Sequence, residues 1–196
     1  MSETRDRIVM AAMELFWEKG YGSTSISDIL KRAGANSGSL YHFFPAKQDV
    51  LSAVLDTYHQ GIGPMLLDPA WDGVDDPLDR IFVLLDRYRR FLIDTDYFYG
   101  CPIGSLALEL HEPDPAIRER LAANFSAWTA AIEECLDAAS DSLPPGIDKK
   151  ALAQFVLTTM EGGVMQARTY RSLEAFDASV AQLRNYFDYL AGTAAS

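Results

Sequence analysis

An all-α fold of about nine helices is what this sequence predicts. Three observations carry that expectation. Apolar residues recur at helical spacing along the whole chain, and no segment sustains the alternation of a half-buried strand. An aspartate followed by proline, the pairing of an N-cap with a first-turn proline, opens helices at Asp76-Pro77 and again at Asp114-Pro115. Two short helical segments are joined through Ala33, Gly34 and Ala35, the outline of a helix-turn-helix.

Each element follows from its own residues. Ile8, Ala12, Leu15 and Phe16 share one face of a first helix that Gly20 ends, with Tyr21 placed to fold back on it. Thr24 or Ser25 caps a second helix bearing Ile26, Ile29 and Leu30, which stops at Gly34. Asn36 or Ser37 caps a third, running to about Phe43. Pro45 has the position of a first-turn proline for a longer fourth helix on Val50, Leu51, Val54, Leu55 and Tyr58, which Gly61, Gly63 and Pro64 bend or end. Leu78, Ile81, Phe82, Leu85, Tyr88 and Leu92 line the helix after Asp76. Ile117, Leu121, Phe125, Trp128, Ile132 and Leu136 line the one after Asp114. Between these two, "GCPIGSLALEL" forms a short helix. "SDSLPPGID" is a loop ending in the cap Asp148, and the last two long helices run to about Arg171 and from about Leu173 to Ala191.

Composition narrows the class. The chain has 196 residues, 48% hydrophobic and 23% charged, ordinary for a globular protein with a real core. The N-terminal "MSETRDRIVMAAMELF" lacks the regions of a signal peptide, and no apolar run approaches the roughly 20 residues of a membrane helix. Cys101 and Cys135 make no disulfide framework. A cytoplasmic protein with no membrane association is expected. His42, His59 and His111 never fall at metal-ligand spacing, so neither metal nor cofactor is expected. Cys101, Glu109 and His111 are the one grouping that could suggest an enzyme. On a helix, though, Glu109 and His111 point apart, and positions 101 and 111 lie about 15 Å apart along the axis, so no catalytic residue is assigned.

The net charge of -11 is unevenly spread. Residues 1–50 hold six Lys/Arg and six Asp/Glu, and the remainder holds 11 against 22. A neutral N-terminal part can approach a polyanion that an acidic remainder would repel.

The order of residues in "AAMELFWEKGYGSTSISDILKRAGANSGSLYHFFPAKQDVL" makes the helix-turn-helix specific. Residues 5–51 resemble the DNA-binding region of the TetR/AcrR family of bacterial repressors. The shared features are Phe-x-x-x-Gly-Tyr, Thr-Ser before Ile-x-Asp-Ile, Ala-Gly in the turn, Gly-Ser-Leu-Tyr-x-x-Phe, and Pro-x-Lys. The resemblance implies a homodimeric DNA-binding regulator of transcription. Residues 1–50 would be the DNA-binding domain and 51–196 the effector-binding and dimerisation domain. The helix from about Ser37 to Phe43 would enter the major groove of a palindromic operator, and a small-molecule effector would release the repressor.

Residue chemistry supports these roles separately. Thr24, Ser25, Asn36 and Ser37 can cap helices, and the hydroxyls can also donate to phosphate. Gly38 and Ser39 are small enough for close approach to base edges. Tyr41 and His42 offer donors and flat faces, and Lys47 matches the family's phosphate-contacting lysine. Leu40 and Phe44, four apart on the opposite face, read as core. Ser37 stands where many relatives carry lysine, which leaves this helix without a lysine or arginine.

The C-terminal part resembles the family less closely. Aromatic and apolar residues suited to a drug-sized site are Tyr97, Phe98, Tyr99, Cys101, Phe125, Trp128 and Met160. Gly162, Gly163 and Ala167 favour close helix packing, and with Phe155, Phe176, Leu183 and Phe187 they are the expected dimer interface. The Gly-Cys of "GCPIGSLALEL" is similar to a segment in a subset of the family that includes electrophile- and oxidant-responsive repressors. Thiol sensing through Cys101 is thus an alternative to an organic effector. A helical adaptor without DNA binding is a remoter one, and would show no salt-dependent DNA affinity.

Overall fold

The computed structural model describes residues 3–194, and among these there is no strand. Nine longer helices and one four-residue turn are formed: α1 (Glu3–Lys19), α2 (Ile26–Ala33), α3 (Ser37–Phe43), α4 (Lys47–Gly61), α5 (Asp68–Trp71), α6 (Pro77–Asp94), α7 (Pro102–Glu109), α8 (Pro115–Ala138), α9 (Lys149–Tyr170) and α10 (Glu174–Ala194). They pack as two compact units. One comprises Met1–Gly61 with Cys101–Phe125, the other Ile62–Gly100 with Ser126–Ser196, so α8 contributes to both.

Most boundaries are set by side-chain caps on the first amides of a helix. Ser25 and Asp28 form a capping box at α2, and Asn36 Oδ1 accepts from the Ser39 amide at α3. Asp76, Asp114 and Asp148 cap α6, α8 and α9 in the same way. One expectation needs correction. Pro45 does not open α4; the helix starts at Lys47, where Asp49 Oδ2 accepts from the Ala46 amide at 2.8 Å. Gly61 ends α4 as a regular helix. The chain continues as a π-helical segment, Ile62–Leu67, into α5, and Trp71 Nε1 there donates to the Arg80 carbonyl.

In the first unit the core joins α1 to its neighbours. Ile8, Ala12, Leu15 and Phe16 are buried with Ile29, Leu40, Phe44, Leu51, Val54 and Leu55, and α7 and α8 add Ile103, Leu106, Ile117 and Leu121. Asn124 closes this unit's α8 segment by donating to the Leu55 carbonyl, and Arg120 pairs with Asp56 at 3.0 Å. In the second unit α9 and α10 lie together with α6. Phe176 packs against Gly163, Phe82 meets Phe187 edge-on at 5.4 Å, and Arg89 makes a two-point pair with Asp177.

Candidate nucleic-acid interface

The helix-turn-helix is built by burying one face of three short elements on α1. Gly20 takes a left-handed conformation (φ +87°) that ends α1, and the Tyr21 ring packs edge-on against Phe16 at 5.3 Å. Thr24 then turns inward. Its hydroxyl lies against the Gly20 carbonyl at 2.7 Å and the Leu15 carbonyl at 3.3 Å, and the residue is 1% exposed. Thr24 therefore closes the end of α1 and has no surface for a phosphate, which removes it from the contacts expected of it. Ser25 is exposed, but its hydroxyl is engaged with Asp28.

Helix α3 separates its two roles by face. Leu40 is fully buried and Phe44 nearly so, while Ser37, Gly38 and His42 are exposed and Tyr41 is 53% exposed. Ser39 is half-buried, with its amide held by Asn36. A Cβ at Gly38 would lie 3.3 Å from Asn36 Oδ1, so this glycine also leaves room for the cap. His42 stacks edge-on against Phe43 at 4.9 Å, which orients the imidazole without burying it.

The cations of this unit are largely engaged. Arg32 pairs with Glu14 and Glu18, and Lys19 with Asp28. Lys47 is half-buried. Its ammonium donates to the Tyr21 carbonyl and stands 4.1 Å from the centroid of the Tyr21 ring. Burial pushes its pKa down, and the Glu109 carboxylate opposes that shift. The sequence points to Lys47 but offers Glu109 only in an enzyme-like grouping and misses its role here, where its carboxylate accepts from the Tyr21 amide at 2.9 Å and the Gly22 amide at 2.6 Å. A separation of 87 and 88 residues left no local signal for it.

The other expected sites are distributed differently. Tyr97, Phe98 and Tyr99 lie together in the turn after α6, with the rings of Phe98 and Tyr99 4.8 Å apart. Trp128 and Met160 are buried in the same unit, and Trp128 Nε1 donates to the Tyr88 hydroxyl at 3.2 Å. From the sequence, Tyr88 reads only as part of the apolar face of its helix. Cys101 and Phe125 belong to the first unit, so the seven residues do not share one packing unit. Cys101 is buried at the start of α7, and Sγ accepts from the Gly104 amide at 3.5 Å.

Of the expected dimer residues, Gly163, Ala167, Phe176, Leu183 and Phe187 are already buried within the chain, and Gly163 is where α9 meets Phe176 of α10. Their side chains have little surface left for a second copy. Phe155 remains exposed, and the space a Cβ would take at Gly162 is open. Met165, Tyr170, Tyr186 and Tyr189 are exposed on the same two helices, and sequence periodicity did not single these tyrosines out.

Comparison with known proteins agrees with this architecture. Residues 8–54 match the model for bacterial regulatory proteins of the tetR family, and residues 77–182 match that of the LmrA/YxaF-like transcriptional regulator C-terminal domain. An uncharacterised HTH-type transcriptional regulator of Mycobacterium tuberculosis is 32% identical over 191 residues, covering 94% of each chain. The HTH-type transcriptional repressor DhaR of a Mycobacterium species is 24% identical over 175 residues, covering 88% of this chain and 86% of that one. A TetR transcriptional regulator from Chloroflexus aurantiacus superposes with a TM-score of 0.81 at 29% identity, covering 95% and 94%. The architecture is that of a helix-turn-helix transcriptional regulator. The chain belongs to the TetR family, with a C-terminal domain of the LmrA/YxaF-like type.

Proposed function

We propose that this regulator is a cytoplasmic repressor that binds an approximately palindromic operator as a homodimer and is released by a small organic effector. Residues 1–50 supply the DNA contacts, and 51–196 the effector site and the dimer contact. The observation that carries the reading is the two-faced α3. Leu40 and Phe44 fix it in the core while Ser37, Gly38, Tyr41 and His42 stand free to meet base edges and phosphates. Asn36, Ser39 and Ser25 hold the backbone of that surface, and Lys47 supplies its charge. A relative named as a repressor supports the direction of control.

Tyr97, Phe98, Tyr99, Trp128 and Met160 are the effector residues we favour, with Tyr88 added for its hydroxyl. A few polar groups, the Trp128–Tyr88 pair and the tyrosine hydroxyls, among aromatic and apolar side chains suit an organic ligand with few hydrogen-bonding groups. Effector and operator would oppose each other with a coupling of about 1–3 kcal/mol.

The test begins by selecting duplexes from a random library with the wild-type protein. Binding to the selected duplex should weaken steeply as salt rises. Tyr41→Ala and His42→Ala should each cost about 1–3 kcal/mol on that duplex and little on unselected DNA. Equal binding by the variants and the wild type would remove α3 as the reading helix.

A further inference from the structure

We propose that Glu109, at the end of α7, is a positioning residue for DNA binding, because its carboxylate clamps the turn that holds Lys47. The inference rests on the reading of Lys47 as a phosphate contact. It is otherwise independent of effector and operator identity.

The clamp has two sides. On one, the two carboxylate oxygens of Glu109 each receive one consecutive backbone N–H, from Tyr21 and Gly22. Two adjacent amides converging on one anion make a small nest, and charge-assisted bonds of this kind are the stronger class. On the other side, the Lys47 ammonium donates to the carbonyl of the same Tyr21 and lies over its ring. The Tyr21 peptide units thus stand between a fixed carboxylate and the lysine.

The local sequence is shaped for this contact. A Cβ at Gly20 would come within 2.9 Å of the Glu109 carboxylate, and one at Gly22 within 3.1 Å. A side chain at Gly20 would force the carboxylate to shift, and one at Gly22 would press on it. Gly20 is required twice, since its positive φ also ends α1. With no Lys or Arg on α3, and with Lys19 and Arg32 paired to carboxylates, the placement of Lys47 matters more to this chain than bulk positive charge. A lysine held in place loses less side-chain entropy when it meets a phosphate.

The experiment is a double-mutant cycle with Glu109→Ala and Lys47→Ala, read as affinity for the duplex selected by the wild-type protein. Lys47→Ala should weaken binding and reduce the salt slope by about 1. Glu109→Ala should cost roughly ten-fold in affinity with Lys47 present, and less than about two-fold in the Lys47→Ala background. Glu109→Gln keeps one acceptor oxygen and should fall between. Amide exchange in the DNA-free protein gives a second readout: the Tyr21 and Gly22 amides should exchange faster in Glu109→Gln, with the buried turns of α1 unchanged. Equal losses in both backgrounds, no loss in either, or unchanged exchange would overturn the inference. If Lys47→Ala binds as the wild type does, the phosphate reading of Lys47 has failed, and the clamp loses its role with it. That result differs from failure of the clamp alone, in which Lys47→Ala still loses affinity.

Discussion

Asp28 shows how much one exposed carboxylate does in the helix-turn-helix. It accepts from the Lys19 ammonium at 2.9 Å and from the Ser25 amide and hydroxyl at 2.9 and 2.8 Å, tying the end of α1 to the start of α2. The Lys19 hydrogen bond foremost, then the two from Ser25, hold its carboxyl far below the usual carboxylate range. The folded state therefore favours the ionised form. Its contribution is fully present above the unfolded pKa of about 3.9, and is lost as pH falls below that value toward the depressed folded one. Asp28→Asn should lower stability at neutral pH and flatten the acid limb below roughly pH 4. Denaturant titrations of both proteins across that range check this, and parallel limbs would count against it. Thr24 carries the complementary lesson. A hydroxyl residue next to an N-cap reads equally well as a phosphate donor or as a helix-end closure, and only its burial decides between them.

At the scale of elements, the adjacent glycines of α9 make the sharpest contrast. Sequence reasoning treats Gly162 and Gly163 alike, as small residues permitting close approach. A Cβ at Gly163 would meet the Phe176 ring at 2.8 Å, whereas nothing lies within 4 Å of one at Gly162. Gly162→Ala should gain up to about 1 kcal/mol from helix propensity. Gly163→Ala should lose about 1–3 kcal/mol, because the gain is outweighed by overpacking of α9 on α10. Urea unfolding at one fixed protein concentration separates the two, and equal effects would refute the assigned packing. The caps show the opposite case. Asp76, Asp114 and Asp148 were readable because a cap acts within its own first turn, and the contacts at 2.8–3.1 Å are local.

For the whole molecule, the proposed homodimer needs a surface that the chain's own packing leaves uncovered. Phe155 of α9 and Tyr186 of α10 are exposed, with ring centroids 6.2 Å apart, and Met165, Tyr170 and Tyr189 are exposed elsewhere on the same two helices. Large exposed aromatics on packed helices are the kind of surface that association covers. If the proposed homodimer forms through this surface, Phe155→Glu should move the protein from dimer to monomer in sedimentation at micromolar concentration, and weaken operator binding with it. A dimer unaffected by that change would place the contact elsewhere.

The helical class, the caps Asp76, Asp114 and Asp148, the helix-turn-helix and the family resemblance were all legible in the order of residues alone. Those depend on contacts within a few residues or on one contiguous motif. Leu40 and Phe44 were legible as core for the same reason, since their spacing alone puts them on one face of a short helix. Tertiary structure alone decided that Thr24 is buried, that Phe176 fills the space at Gly163, that Trp128 reaches Tyr88, and that Glu109 grips the turn at Tyr21 and Gly22. The physical reason is the same in each case. Periodicity says which face of a helix is apolar, but which side chain meets that face depends on how separate elements pack. For Glu109 the partners lie 87 and 88 residues away.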